Sequence, residues 1–226
     1  MHFSDLTKNF HRKIYFILPT YITNSEGIAI PPSAISRLQD QGTPERLTLQ
    51  ISFSFRHNLG VMIKTIYLAG GCFWGVEAYF KRLKGVLETS VGYANGNTMN
   101  PKYEDLKAGK ATHAETVQIK YDDDVITLTE LLGHYLRFVD PYSLNKQGED
   151  EGIQYRTGVY YNDLLDGVTA ETYFSSVLEP NYKIEIKKLC NYFPAEEYHQ
   201  DYLTKNPHGY CHVNLGLIKP NEKKDA

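Results

Sequence analysis

From Met62 onward, apolar and polar positions recur in short regular runs that predict strand, helix, strand, strand, helix, strand. Ile63, Thr65-Ile66-Tyr67 and Leu68 form a β-branched and aromatic run, the mark of a strand. Phe73, Val76, Phe80 and Leu83 then fall at helical spacing. A second strand is expected over Val86 to Val91, followed by a polar loop with turn signals at Asn95-Gly96-Asn97 and Asn100-Pro101. In the third, Thr116 to Tyr121, Val117, Ile119 and Tyr121 alternate with Gln118 and Lys120. Thr127 and Glu130 have capping-box spacing and open a helix through Leu131, Leu132, Tyr135 and Phe138 that ends before Asp140-Pro141. A fourth strand is read over Tyr155 to Tyr161. This order predicts an α/β (α+β) fold, a ferredoxin-like two-layer sandwich. An added helix near Leu164 to Leu178, a strand near Lys183 to Leu189, a short helix over Glu196 to Leu203 and a coil tail complete the chain.

The first 61 residues lack sustained periodicity and carry breakers at Pro19, Pro31-Pro32 and Pro44. They read as a poorly ordered N-terminal extension of a catalytic domain spanning 62–226. A second reading takes Met62 as the natural start, with the first 61 residues coming from an upstream start assignment. Charge narrows the partners: a net −3 with both signs interspersed leaves no footprint for nucleic acid. No apolar run approaches the ~20 residues that span a bilayer. Three widely spaced cysteines make no disulfide framework and, with the histidines, no metal cluster at familiar spacing, so reduced thiols in the cytoplasm are expected.

Candidate chemistry centres on Gly70-Gly71-Cys72-Phe73-Trp74-Gly75, a thiol at a strand-to-helix turn beside the only tryptophan. Free amides at a helix start favour negative charge, which predicts a lowered thiol pKa and a reactive Cys72. An inert buried thiol is the competing reading. Glu115 stands at the start of the third strand, Asp150 lies in a charged, glycine-punctuated loop from Gln147 to Arg156, and Tyr103 follows the turn at Pro101. A nucleophilic thiol, a carboxylic acid, hydroxyl donors and two rings suit attack on a polar, methyl-bearing electrophile.

Over residues 62 to 215 the chain resembles the peptide methionine sulfoxide reductase A family. The resemblance rests on Gly71-Cys72-Phe73-Trp74-Gly75, His113-Ala114-Glu115, the loop through Gln154-Tyr155-Arg156, and Asn206-Pro207-His208-Gly209-Tyr210-Cys211. It implies that Cys72 attacks the sulfoxide sulfur of the S epimer while Glu115 protonates the departing oxygen. Tyr103 and Tyr155 match hydroxyl donors, Phe73 and Trp74 a pocket for the ε-methyl group, and Asp150 a carboxylate that orders the site. It further implies that the Cys72 sulfenic acid is resolved by Cys211 and that thioredoxin reduces the resulting disulfide, with no cofactor or metal. A monomer that repairs oxidised proteins, and also takes free methionine sulfoxide, is expected. The tail beyond Cys211 offers no further recycling cysteine, and Val139 stands where relatives often carry His. Cys190 has no family counterpart and reads as structural.

Two other classes compete. A cysteine hydrolase would need Cys72 paired with a histidine such as His113 or His199. A methionine-binding module built on Phe73 and Trp74 would not need the thiol. Intact-mass measurement of the native protein decides the status of the extension: a start at Met62 predicts a mass lacking residues 1–61, and a mass that includes Met1 rejects it.

Overall fold

The structure, a computed structural model, describes residues 17–18, 21–23, 29–30 and 62–224. Contacts divide the chain into two units, 1–60 and 61–226. In the first, β1 (Ile17–Leu18), β2 (Tyr21–Thr23) and β3 (Ala29–Ile30) pair antiparallel in that order. The expected disorder of the N-terminal extension, and its upstream start, lie outside the described residues.

The second unit is built on a six-stranded sheet of β4 (Ile63–Gly70), β5 (Val86–Ala94), β6 (Ala114–Asp122), β9 (Thr157–Tyr161), β10 (Glu185–Lys188) and β11 (Tyr192–Pro194). Its order is β10-β9-β4-β6-β5-β11. The inner four run antiparallel, with the helix α1 (Phe73–Phe80) between β4 and β5 and α3 (Leu128–Tyr135) between β6 and β9. This is the expected ferredoxin-like arrangement. The two-residue period of β4 sorts its side chains. Ile66 and Leu68 join Val76, Phe80, Val117, Ile119, Leu131 and Phe174 in the main core, whereas Tyr67 and Ala69 join Ala94, Ala114 and Tyr160 in a smaller cluster.

Several elements depart from the sequence reading. β5 runs on to Ala94 because Val91–Ala94 is buried between β6 and β11, an edge strand with no alternating pattern to announce it. The fourth strand starts at Thr157 rather than Tyr155, because Gly152, at φ +145°, opens a 3-10 turn over Ile153–Tyr155. The loop before β6 holds a short helix, α2 (Tyr103–Lys107), whose first turn is closed by Lys102 N donating to Asp105 Oδ2 at 2.9 Å. The helix expected over Glu196 to Leu203 is a run of turns that becomes helical only at α5 (Tyr202–Lys205), because Asp201 takes a left-handed φ of +54°. The added α4 (Leu164–Val177) packs on β9 and β10, and the two-residue strands β7 (Lys146–Gln147) and β8 (Asp150–Glu151) form a hairpin beside the site.

The tail is anchored at its far end. Leu83 bridges Lys223, Lys84 N donates to Glu222 O and Lys224 N to Arg82 O, both at 2.9 Å. Arg137 grips Glu222 through two bonds of 2.7 and 2.8 Å and holds its carboxyl down to about 2. Val213 and Ile218 are buried along the way.

The capping box of α3 is formed: Glu130 N donates to Thr127 Oγ1, and Glu130 Oε2 accepts from Thr127 N and Oγ1. Thr127→Ala should lower unfolding stability by about 1 kcal/mol in urea titration and leave turnover unchanged, since the cap is exposed and its bonds join only Thr127 and Glu130.

Candidate active site

The turn from β4 into α1 puts Cys72 at the N-cap of the helix. Gly71 makes that turn at φ +86°, and a side chain there would meet Gln147 Cβ and His212 Nε2 at 2.8 Å. Glu115, the second residue of β6, faces this turn. Its Oε2 accepts the amide of Phe73 at 3.1 Å, and the carboxyl is 1% exposed. Burial pushes Glu115 up to about 8; Phe73's amide opposes the rise and the Asp150 charge adds to it. That shift favours the acid form near neutral pH.

The thiol departs from expectation. Cys72 is 7% exposed, and its pKa is raised, not lowered. Burial is the largest cause and the Glu115 charge the next, together outweighing the bond from Trp74's amide. The helix start does act on charge, but its first amide is spent on Glu115.

Tyr103 and Tyr155 converge on the same acid. Tyr103 is pushed up to about 12, by burial first and then by the Glu115 charge. Tyr155 is raised by burial, Glu115 and Tyr103 in that order. Tyr103 is fixed through its backbone: its amide donates to Glu196 Oε1 at 3.1 Å, while Glu196 Oε2 accepts Tyr93 Oη at 2.7 Å. Asp150 lies on β8, where its Oδ2 accepts Tyr210 Oη at 3.1 Å. His212 Nδ1 stands 3.8 Å from the same oxygen, but its Nε2 bonds the Gly70 carbonyl at 3.0 Å and so carries the proton. Burial lowers the His212 pKa, which leaves the ring neutral.

Phe73 and Trp74 lead into a wall of rings. Phe73 lies 5.1 Å from His199 and 6.0 Å from Tyr93. Trp74 Nε1 donates to His199 Nδ1 at 3.1 Å, and its ring stacks on Tyr202 at 3.7 Å and 12°. Tyr93, Glu196 and Tyr202 were given no role from sequence, and Tyr210 appeared there only within the motif that ends at Cys211. Only the ring density of Tyr198-His199 and Tyr202 hinted at them, and a helical reading of that segment hid which face they shared.

Cys211 comes to the same helix start. Its Sγ donates to Val213 O at 3.2 Å, and a side chain at Gly75 would meet that Sγ at 3.3 Å and Val213 at 2.9 Å. Gly75 thus lets the tail lie on α1, three residues past Cys72. Both thiols are free. Cys190 is also free but exposed, its thiol making only a long contact to Lys188 O, so it has no packing role; the reading of it as structural is corrected. Among the described residues no group of His, Cys, Asp and Glu is arranged to hold a metal ion.

Comparison with known proteins decides the family. The model for peptide methionine sulfoxide reductase matches residues 64–225. The chain belongs to the peptide methionine sulfoxide reductase family. It is 51% identical to the reductase MsrA of Ureaplasma urealyticum, covering 70% of this chain and 98% of that one. Against MsrA of Clostridium perfringens it is 50% identical over 68% of this chain and 99% of the relative. The crystal structure of Mxr1 from Saccharomyces cerevisiae in reduced form superposes with a TM-score of 0.63 at 36% identity, covering 68% of this chain and 92% of that one. Methionine sulfoxide reductase A of Corynebacterium diphtheriae gives a TM-score of 0.61 at 35% identity, covering 66% and 77%.

This reductase is an oxidoreductase, and the hydrolase alternative finds no support at Cys72. His199 Nδ1 is taken by Trp74, and His113 is buried against Phe193 and Gly96. A thiol held protonated should alkylate slowly. With iodoacetamide at pH 7.5, Cys72 should label at least about tenfold more slowly than exposed Cys190 by peptide mass spectrometry. Preferential labelling of Cys72 would show that its pKa is not raised.

Proposed function

We propose that this reductase converts the S epimer of methionine sulfoxide, in proteins and free, to methionine through Cys72, and that thioredoxin recycles it. The observation that carries the reading is the buried Glu115 carboxyl, bonded to Phe73's amide at the turn that holds Cys72 and pushed by burial toward its acid form. A sulfoxide sulfur becomes electrophilic when its oxygen accepts a proton, and Glu115 has one to give at neutral pH. Tyr103 and Tyr155 donate to the same oxygen. Phe73 and Trp74 hold the ε-methyl group and face the positive charge that grows on sulfur. Asp150, bonded by Tyr210, orders the water side of the site.

Cys72 sulfur attacks, the substrate S–O bond breaks, and the net result is transfer of one oxygen to Cys72. The sulfoxide is reduced by two electrons and the thiol is oxidised to a sulfenic acid. Cys211 sulfur then displaces hydroxide from Cys72, giving a Cys72–Cys211 disulfide and water. A thioredoxin dithiol reduces that bond by exchange and becomes a disulfide itself. The enzyme acts as a cytoplasmic monomer in repair of oxidised proteins, and the cycle needs no further cofactor.

Cys72→Ser should abolish reduction of the S epimer. Cys211→Ser should keep dithiothreitol-driven turnover, and one methionine released per enzyme without reductant, but lose thioredoxin-driven turnover; retained thioredoxin-driven turnover would refute the resolving role. Because Glu115 acts in its acid form and titrates near 8, single-turnover kcat/KM should be level below that pH and fall about tenfold per unit above it. Glu115→Gln should lower the rate about 10²- to 10⁴-fold and remove the fall; a fall that persists in Glu115→Gln assigns the titration elsewhere.

A further inference from the structure

A second buried acid lies one helical turn beyond the site and takes no part in the chemistry above. Glu77, on α1 three residues after Trp74, is 2% exposed. Its two oxygens serve two different elements: Oε1 accepts Thr89 Oγ1 of β5 at 3.2 Å, and Oε2 accepts the amide of Asp201 at 2.9 Å. Asp201 is the residue whose left-handed φ of +54° interrupts the expected helix. Asp tolerates that conformation better than most residues, yet it persists only where surroundings hold it. Here they do, since the backbone amide is bonded by Glu77 and the side chain by Lys81.

The next residue is Tyr202, and the turn at Asp201 points it onto Trp74. The two rings stack at 3.7 Å and 12°. Trp74's indole N–H is held by His199, itself in the segment that leads into the turn. Burial and then the Asp201 charge push Glu77 up to about 7, against the pull of Asp201's amide, Thr89 and Lys81. A carboxyl held in such surroundings is poorly explained by core packing, where an apolar residue of similar size serves better.

We propose that Glu77 is a positioning residue for the methionine methyl pocket: by accepting the Asp201 amide it fixes the turn that stacks Tyr202 on Trp74. The inference rests on the reading of Trp74 as a wall of that pocket. It makes the pocket depend on a residue that never meets the substrate, and it predicts a defect in substrate capture and not in chemistry.

The only tryptophan in the chain is Trp74, so its emission reports the stack directly. Glu77→Leu, Glu77→Gln and Tyr202→Leu are compared with wild type on N-acetyl-methionine-S-sulfoxide with dithiothreitol, with circular dichroism to verify folding. Glu77→Leu should raise KM about five- to tenfold with kcat within about twofold, and its emission should shift to that of Tyr202→Leu. Glu77→Gln keeps an acceptor oxygen for the Asp201 amide and should restore both readouts to near wild type. An unchanged KM in folded Glu77→Leu overturns the proposal, as does a loss confined to kcat. If Glu77→Leu does not fold, Lys81→Met removes the other restraint on Asp201 and should raise KM at least about twofold; an unchanged KM there also overturns it. Failure of the wild type to reduce the sulfoxide would instead sink the proposed function, while the emission of the variants still reports whether Glu77 controls the stack.

Discussion

The amide of Phe73 and the carboxyl of Glu115, 3.1 Å apart, join the first turn of α1 to the start of β6. Around that bond the β4–α1 turn, the Cys72 thiol and the tyrosines acquire fixed relative positions. A helix start carries unsatisfied amides, and an acid on the neighbouring strand is a stable way to satisfy one in a dry interior. The sheet makes this possible by placing β6 directly beside β4, so that Glu115 is brought to the end of a strand that left it more than forty residues earlier.

The same bond determines where protons sit. Burial raises the thiol, the acid and both tyrosine hydroxyls together, because every charged form loses water. An amide opposes the rise for each of the two, Phe73's for Glu115 and Trp74's for Cys72, and burial outweighs both. Under the proposed function the Cys72 thiolate forms in the encounter with substrate, and a thiol kept protonated until then is protected from stray oxidants.

Much of this was legible in the sequence. The β-branched and aromatic run of Thr65-Ile66-Tyr67 marked β4, and Val117 and Ile119 alternating with Gln118 marked β6. Thr127 and Glu130 marked the start of α3. The candidate residues were picked out by motif, and the structure bonds Glu115 to the amide of Phe73, the residue after Cys72. What failed was the sign of the thiol shift, because a turn read alone shows the helix amides but not the carboxyl that takes one or the walls that exclude water. The segment around His199 to Tyr202 failed for a related reason. Its helical spacing is real, but the tertiary bond from Asp201 to Glu77 favours a backbone conformation that no local pattern announces. β11, three residues long, was below the length at which alternation can be seen.

The Cys211 segment has fixed ends: α5 stacks on Trp74 before it, and Val213, Ile218 and the Arg137–Glu222 clasp hold the chain after it. Such a tether turns the meeting of two thiols into a local event, with an effective concentration of at least ~1 mM for a short linker. Oxidants in a cell are far more dilute than that. Under the proposed cycle, a sulfenic acid on Cys72 is therefore in a race that its own chain wins: it closes to a reducible disulfide before a second oxidation can take it to the sulfinic acid from which the enzyme would not return.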